Sequence, residues 1–117
     1  MDKKFALFVF RDGLMCFGHV LLNALEMFSV GYSVKIIIEG EATNVIPVYH
    51  ANPNALFGNL YKRAKEEGLI DAVCKACATK MHALEAAQAE QLPIVEELNG
   101  HPSMKRYLED GYQIITF

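Results

Sequence analysis

The chain reads as a single-domain α/β protein, a three-layer sandwich around a mainly parallel sheet of about five strands. Two observations predict this class. Short apolar runs rich in β-branched and aromatic residues alternate with longer stretches of helical periodicity, and Gly or turn residues separate most of them. The strand runs lack polar alternation, which suits strands covered on both faces. At 117 residues the chain is long enough for one core, so residues 1–117 form one domain.

The elements follow in order. Phe5 to Phe10 is the first apolar run, and Arg11-Asp12-Gly13 ends it. From Leu14 to Val30 the apolar residues Leu14, Phe17, Leu21, Leu25 and Phe28 recur at helical steps, and Gly31 is a plausible stop. Leu22 and Met27 widen that apolar face, which predicts coverage on more than one side. Ser33 to Glu39 is a second buried strand, and Gly40 to Asn44 is a loop or helical turn. Val45 to Asn54 contains Pro47 and Pro53 and reads as an irregular excursion. Leu56, Leu60, Tyr61 and Ala64 mark a second amphipathic helix that Gly68 ends. Leu69 to Val73 leads into Cys74 as a third strand, followed by an Ala-rich helix from Ala76 to Glu90. Leu92 to Leu98 is ambiguous and can hold a short strand. Ser103 or its neighbour caps a last helix containing Met104, Tyr107 and Leu108, and Gln113 to Phe117 is the closing strand.

Composition narrows the function. Lys and Arg number 11 against 14 Asp and Glu, a net charge of -3, which argues against binding nucleic acid through its phosphates. The most apolar stretch, Val20 to Val30, is interrupted by Asn23 and Glu26 and falls short of a membrane span. The opening run lacks the length and cleavage site of a secretory signal, so a cytoplasmic location is expected. Three Cys do not make a fully paired disulfide framework. The hydrophobic share of 52% is high for so small a domain, and the breadth of the first helix predicts self-association.

In parallel sheets ligands gather outside the carboxyl ends of the strands, at the point where strand order reverses. Three segments follow strand ends: Arg11-Asp12-Gly13, Glu39-Gly40-Glu41 and Cys74-Lys75-Ala76-Cys77. With a flavodoxin-like order, 2-1-3 for the first three strands, Cys16 faces the loop carrying Cys74 and Cys77. Cys74 sits where a strand meets a helix, whose N-terminus favours thiolate, and Lys75 adds positive charge. Cys77 lies one helical turn on. Three readings stay open for the pair: a sulfur or electron carrier, a redox dithiol, and two small buried hydrophobes.

A metal site lacks its usual second Cys pair; Cys16, His50 or His82 would have to complete it, and neither metal nor cofactor is expected. Among the histidines, His50 has the best chance of approaching a site. His19 and His82 read as surface residues, and His101 as a local hydrogen-bonding residue at a turn. Asp12, Glu39 and Glu41 can act as paired carboxylates, although strand-end carboxylates more often cap helices or face solvent. No G-x-S-x-G elbow, G-x-G-x-x-G loop or P-loop occurs.

Three stretches together resemble the DsrE/DsrF/TusD-like sulfur-carrier family. They are the opening unit Phe5 to Gly31, the segment IDAVCKACATKM from Ile70 to Met81, and the ending from Tyr107 to Phe117. The resemblance implies a small α/β subunit that forms dimers, trimers or hexamers. It also implies a sulfane sulfur held as a persulfide on Cys74, with Cys77 matching a second Cys of some members. Donor and acceptor proteins or small thiols are then the partners. Placement at the strand ends and in the loop above the sheet, not the resemblance, makes Arg11, Asp12, Cys16, Glu39 and His50 the expected substrate-binding residues. Many members carry a basic-Gly pair near Met81 and His82, and this chain lacks that pair, having Met81-His82 with no Gly. The expected function is a sulfur carrier or sulfurtransferase. The alternatives are a non-catalytic oligomeric binding module and a Cys74/Cys77 dithiol redox protein.

Overall fold

A computed structural model describes residues 3–117. Five parallel strands lie in the order β4-β3-β2-β1-β5. They are β1 (Lys4–Val9), β2 (Ser33–Ile38), β3 (Ile70–Cys74), β4 (Ile94–Val95) and β5 (Gln113–Thr116). Six helices connect them: α1 (Leu14–Ser29), α2 (Val45–Ala51), α3 (Gly58–Glu66), α4 (Lys75–Lys80), α5 (Leu84–Ala89) and α6 (Met104–Glu109). A 3-10 turn, Gly40–Asn44, precedes α2.

The strand order corrects the 2-1-3 arrangement. β2 lies between β1 and β3, so the ends of the first and third strands are about 10 Å apart, two strand spacings. The chain steps β1 to β2 to β3 to β4 in one direction, then returns across the sheet to place β5 beside β1. Strand order therefore reverses between β1 and β5, and not between β1 and β3.

The same path fixes where the helices go. Crossovers between parallel strands are right-handed, so successive steps in one direction leave their helices on one face. Leu7, Val9, Ile36, Ile38 and Val73 pack on that face against Phe17, Val20, Leu21 and Ala24 of α1, Tyr49 of α2, Tyr61 of α3 and Ala87 of α5. Only the return to β5 runs the other way. Its helix, α6, covers the opposite face alone, where Ala6, Phe8, Ile37 and Ala72 meet Tyr107 and Tyr112. Tyr107 is fully buried, meets Phe8 edge-on at 5.4 Å, and donates a hydrogen bond to Asp71 at 2.6 Å. Helices cover both faces, as expected, but unequally.

Two stretches differ from the sequence reading. Val45–Ala51 is a helix despite Pro47, because Pro47 falls in the first turn, where a missing N–H costs nothing. The Ala-rich stretch is two helices, not one. His82 breaks it with φ +58, a left-handed conformation, and Ala83 N–H then bonds back to Ala78 O at 2.7 Å. The surplus of α1 is partly absorbed: Phe17, Val20, Leu21, Ala24 and Leu25 are buried, while Met15, Leu22 and Phe28 stay exposed. No helix among the described residues is long and apolar enough to cross a membrane.

Candidate functional site

At the carboxyl edge of the sheet, three consecutive loops converge. Glu39 follows β2, Cys74 closes β3 and caps α4, and the turn from Glu96 to His101 follows β4. Adjacent parallel strands end at the same level, so the residues just beyond them meet. The pairing Cys74↔Val95 holds β3 and β4 in that register. The turn is tied down at several points. Gly100 O accepts from Ala76 N–H at 2.9 Å, and Leu98 and His101 bond each other at 2.7 and 2.8 Å. Gly100 has φ +92, and a Cβ there would sit 3.0 Å from the Ala76 Cβ, so any side chain would be strained in its backbone and would press on Ala76.

These anchors aim the His101 ring at the thiols. Its Nδ1 lies 3.0 Å from Cys74 Sγ, 3.6 Å from Cys77 Sγ and 4.0 Å from Glu39 Oε1. The four ligand-type atoms of Glu39, Cys74, Cys77 and His101 all lie within 4.8 Å of one another. Cys74 also accepts from Cys77 N–H at 3.3 Å, since the first turn of α4 points that amide back at its cap. Cys74 is fully buried and Cys77 half-buried, while the His101 side chain is 44% exposed.

The electrostatics run against the sequence expectation. Burial, the Cys77 thiol and the Glu39 carboxylate outweigh the Cys77 amide and push the Cys74 thiol up to about 12. Burial also raises Glu39, against a smaller opposing pull from His101. Lys75 does not relieve this crowding. Its ammonium turns outward to Glu96 Oε2 at 2.6 Å. The α4 helix is only six residues long, too short to supply the field of a longer helix.

The remaining predicted residues disperse. Cys16 is exposed on α1, above β1, and β2 separates that strand from the thiol loop. Arg11 is exposed, and Asp12 accepts a hydrogen bond from Asn44 at 3.3 Å. His50 belongs to a different cluster, with Nδ1 at 2.7 Å from Glu90. That cluster borders a concavity of about 860 Å³, whose lining includes Tyr49, Gly58, Tyr61 and Glu90. Thus Cys74, Cys77 and Glu39 meet as site residues, and His101 joins them unforeseen. The sequence signal available for His101 was the turn-forming Asn99-Gly100 pair just before it.

No family model matches the chain. It is 35% identical over 97 residues to MJ0733, an uncharacterized protein of Methanocaldococcus jannaschii, covering 83% of this chain and 76% of that one. The chain belongs to the MJ0733 family. An uncharacterized protein of Archaeoglobus fulgidus is 49% identical over 51 residues, 44% of this chain and 82% of the other. The fold is shared with BT1422 of Bacteroides thetaiotaomicron, a conserved protein of unknown function. That likeness has a TM-score of 0.74 at 15% identity, over 98% of this chain and 95% of that one.

Proposed function

We propose that this member of the MJ0733 family is a cytoplasmic sulfur carrier of the DsrE/DsrF/TusD type, holding sulfane sulfur on Cys74. The observation that carries the reading is one imidazole nitrogen within 3.6 Å of two thiols, at 3.0 Å from Cys74 and 3.6 Å from Cys77. A thiol paired with a base is how a weak nucleophile becomes a strong one. The resemblance of Ile70 to Met81 to the sulfur-carrier family supports the same choice of Cys74.

His101, whose Nδ1 lies 3.0 Å from Cys74 Sγ, takes the Cys74 proton as the sulfur attacks. The thiolate attacks the outer sulfur of a donor persulfide. The donor's S–S bond breaks, the donor leaves as a thiolate, and Cys74–S–SH remains with no net oxidation. An acceptor thiolate then attacks the outer sulfur and releases Cys74 as thiolate, which His101 reprotonates. Alternatively Cys77 attacks the inner sulfur, giving a Cys74–Cys77 disulfide and hydrosulfide. Cys77 is the half-buried member of the pair, so it is the more accessible thiol. Lys75, held by Glu96, takes no part. The partners are donor and acceptor proteins or small thiols, and the resemblance adds self-association, for which exposed Met15, Leu22 and Phe28 offer apolar surface.

Intact-mass measurement after incubation with a sulfane-sulfur donor tests this. One added sulfur is expected on the wild-type chain and none on Cys74→Ser. A gain that persists in Cys74→Ser moves the assignment to another thiol. No gain in the wild type removes the carrier reading and leaves a binding module, which the full burial of Cys74 favours.

A further inference from the structure

We infer that Glu39, Cys74, Cys77 and His101 form a four-coordinate site for a zinc-class divalent metal ion. The donor set is the first argument. Two thiols, an imidazole and a carboxylate from three separate loops bring their ligand atoms within 4.8 Å of one another. A tetrahedral zinc ion, with bonds of about 2.3 Å to sulfur and 2.0–2.2 Å to nitrogen or oxygen, spaces its ligand atoms roughly 3.3–3.8 Å apart. The observed spacings around His101 Nδ1 are 3.0, 3.6 and 4.0 Å. They bracket that range, and with the full set lying within 4.8 Å, side-chain shifts of up to about 1 Å complete the shell.

Charge is the second argument. Among the described residues, the basic group set against this cluster is His101, while Lys75 is bound to Glu96. A divalent cation displaces the thiol protons and converts buried thiols into thiolate ligands. Thiolate and imidazole donors select borderline transition metals over magnesium or calcium. The supporting shell is present as well. The Cys77 amide already points at Cys74 Sγ, and backbone bonds fix the turn that presents His101. Cys16 and His50 do not complete the site; Glu39 and His101 do, and neither forms a sequence-local pair with the Cys-x-x-Cys segment.

This inference goes beyond the sulfur-carrier reading and does not depend on it. Both use the electron pairs of the same two sulfurs, so a bound ion blocks sulfur uptake and a persulfide blocks the ion. The test titrates the reduced, chelator-treated full chain with zinc(II), and separately with cobalt(II) as a spectroscopic probe. Equimolar binding is expected, with thiolate-to-cobalt charge transfer and the visible bands of a tetrahedral ion. Cys77→Ser and His101→Gln should each weaken binding at least ~10-fold, while Cys16→Ser leaves it unchanged. Cys77 and His101 are not fully buried, so these variants avoid the folding risk of Cys74→Ser; circular dichroism checks each one. No binding by the folded wild type overturns the inference. So does cobalt binding without charge transfer, or binding that survives the Cys77→Ser/His101→Gln double variant. Metal binding combined with no sulfur uptake by the metal-free reduced chain removes the carrier reading alone, and sulfur uptake by a chain that binds no metal removes only this one.

Discussion

Two polar clusters sit beneath the loops of this protein, and they are built on opposite principles. At Glu90, one carboxylate is met by Lys65 at 2.8 Å, His50 at 2.7 Å and the Tyr61 hydroxyl at 2.8 Å. Burial alone would raise its pKa, but those hydrogen bonds outweigh burial and hold it at about 2. At Cys74, two thiols and the Glu39 carboxylate share one imidazole, and burial pushes both Cys74 and Glu39 upward. The first cluster is balanced and ties α2, α3 and α5 together. The second gathers three acidic groups around one imidazole, and burial disfavours the charged forms of Cys74 and Glu39. Perturbed groups mark function only when structure does not already account for them, and at Glu90 it does.

The largest expected difference is in stability. Glu90→Gln should lower the unfolding free energy by about 1–3 kcal/mol, since it removes a charged acceptor from three donors. Glu39→Gln should change it by less than about 1 kcal/mol, because an acid that resists ionisation loses little when made neutral. Urea denaturation of the two variants makes the comparison. Equal losses would erase the distinction between the clusters.

Acid sensitivity sharpens the same contrast. Glu90 has a folded-state pKa of about 2 against an ordinary value of 4.5. Its contribution is therefore complete above pH 4.5 and is lost as pH falls from 4.5 toward 2. The exposure of His50 and Lys65 to solvent reduces the size of the effect, to about 1–2 kcal/mol. Stability measured across that interval should fall in the wild type by this amount more than in Glu90→Gln. Parallel curves would contradict the assignment.

The helix break beside the site gives a smaller effect. His82 holds φ +58, a conformation glycine adopts without steric cost. His82→Gly is expected to stabilise the fold by up to about 1 kcal/mol, read as a higher urea midpoint, because relief of strain exceeds the added freedom of the unfolded chain. A lower midpoint would show that the His82 side chain contributes contacts outweighing its backbone strain. The smallest effect belongs to Lys75. Lys75→Met should leave the alkylation rate of Cys77 unchanged within about twofold, since the ammonium faces Glu96 and an exposed ion pair is worth little. A large drop would return Lys75 to the thiol site.

These contrasts also mark what was legible in the sequence. β1 is a continuous apolar run from Phe5, and β2 from Val34 and β3 are apolar except at Lys35 and Asp71, because helices cover both faces of the sheet, and that signal is local. The cap of α6 was equally local: Ser103 accepts from Arg106 N–H at 3.4 Å. Strand order was not, since nothing in a short apolar run says which neighbour it takes; the order became visible only from pairing. Pro47 disguised α2 because proline usually breaks a helix, and only its place in the first turn makes it harmless. Cys74 and Cys77 were found because their spacing is one helical turn. His101 was not, because its approach depends on a two-residue strand and a glycine turn that carry no chemical signature.

The claim that Glu39, Cys74, Cys77 and His101 act as one unit, with Cys16 outside it, is tested most directly by peptide-resolved alkylation of the folded protein with and without equimolar zinc. Zinc is expected to protect the peptide bearing Cys74 and Cys77 and to leave labelling of Cys16 unchanged. Protection of Cys16, or labelling of Cys77 that zinc does not alter, would contradict the account.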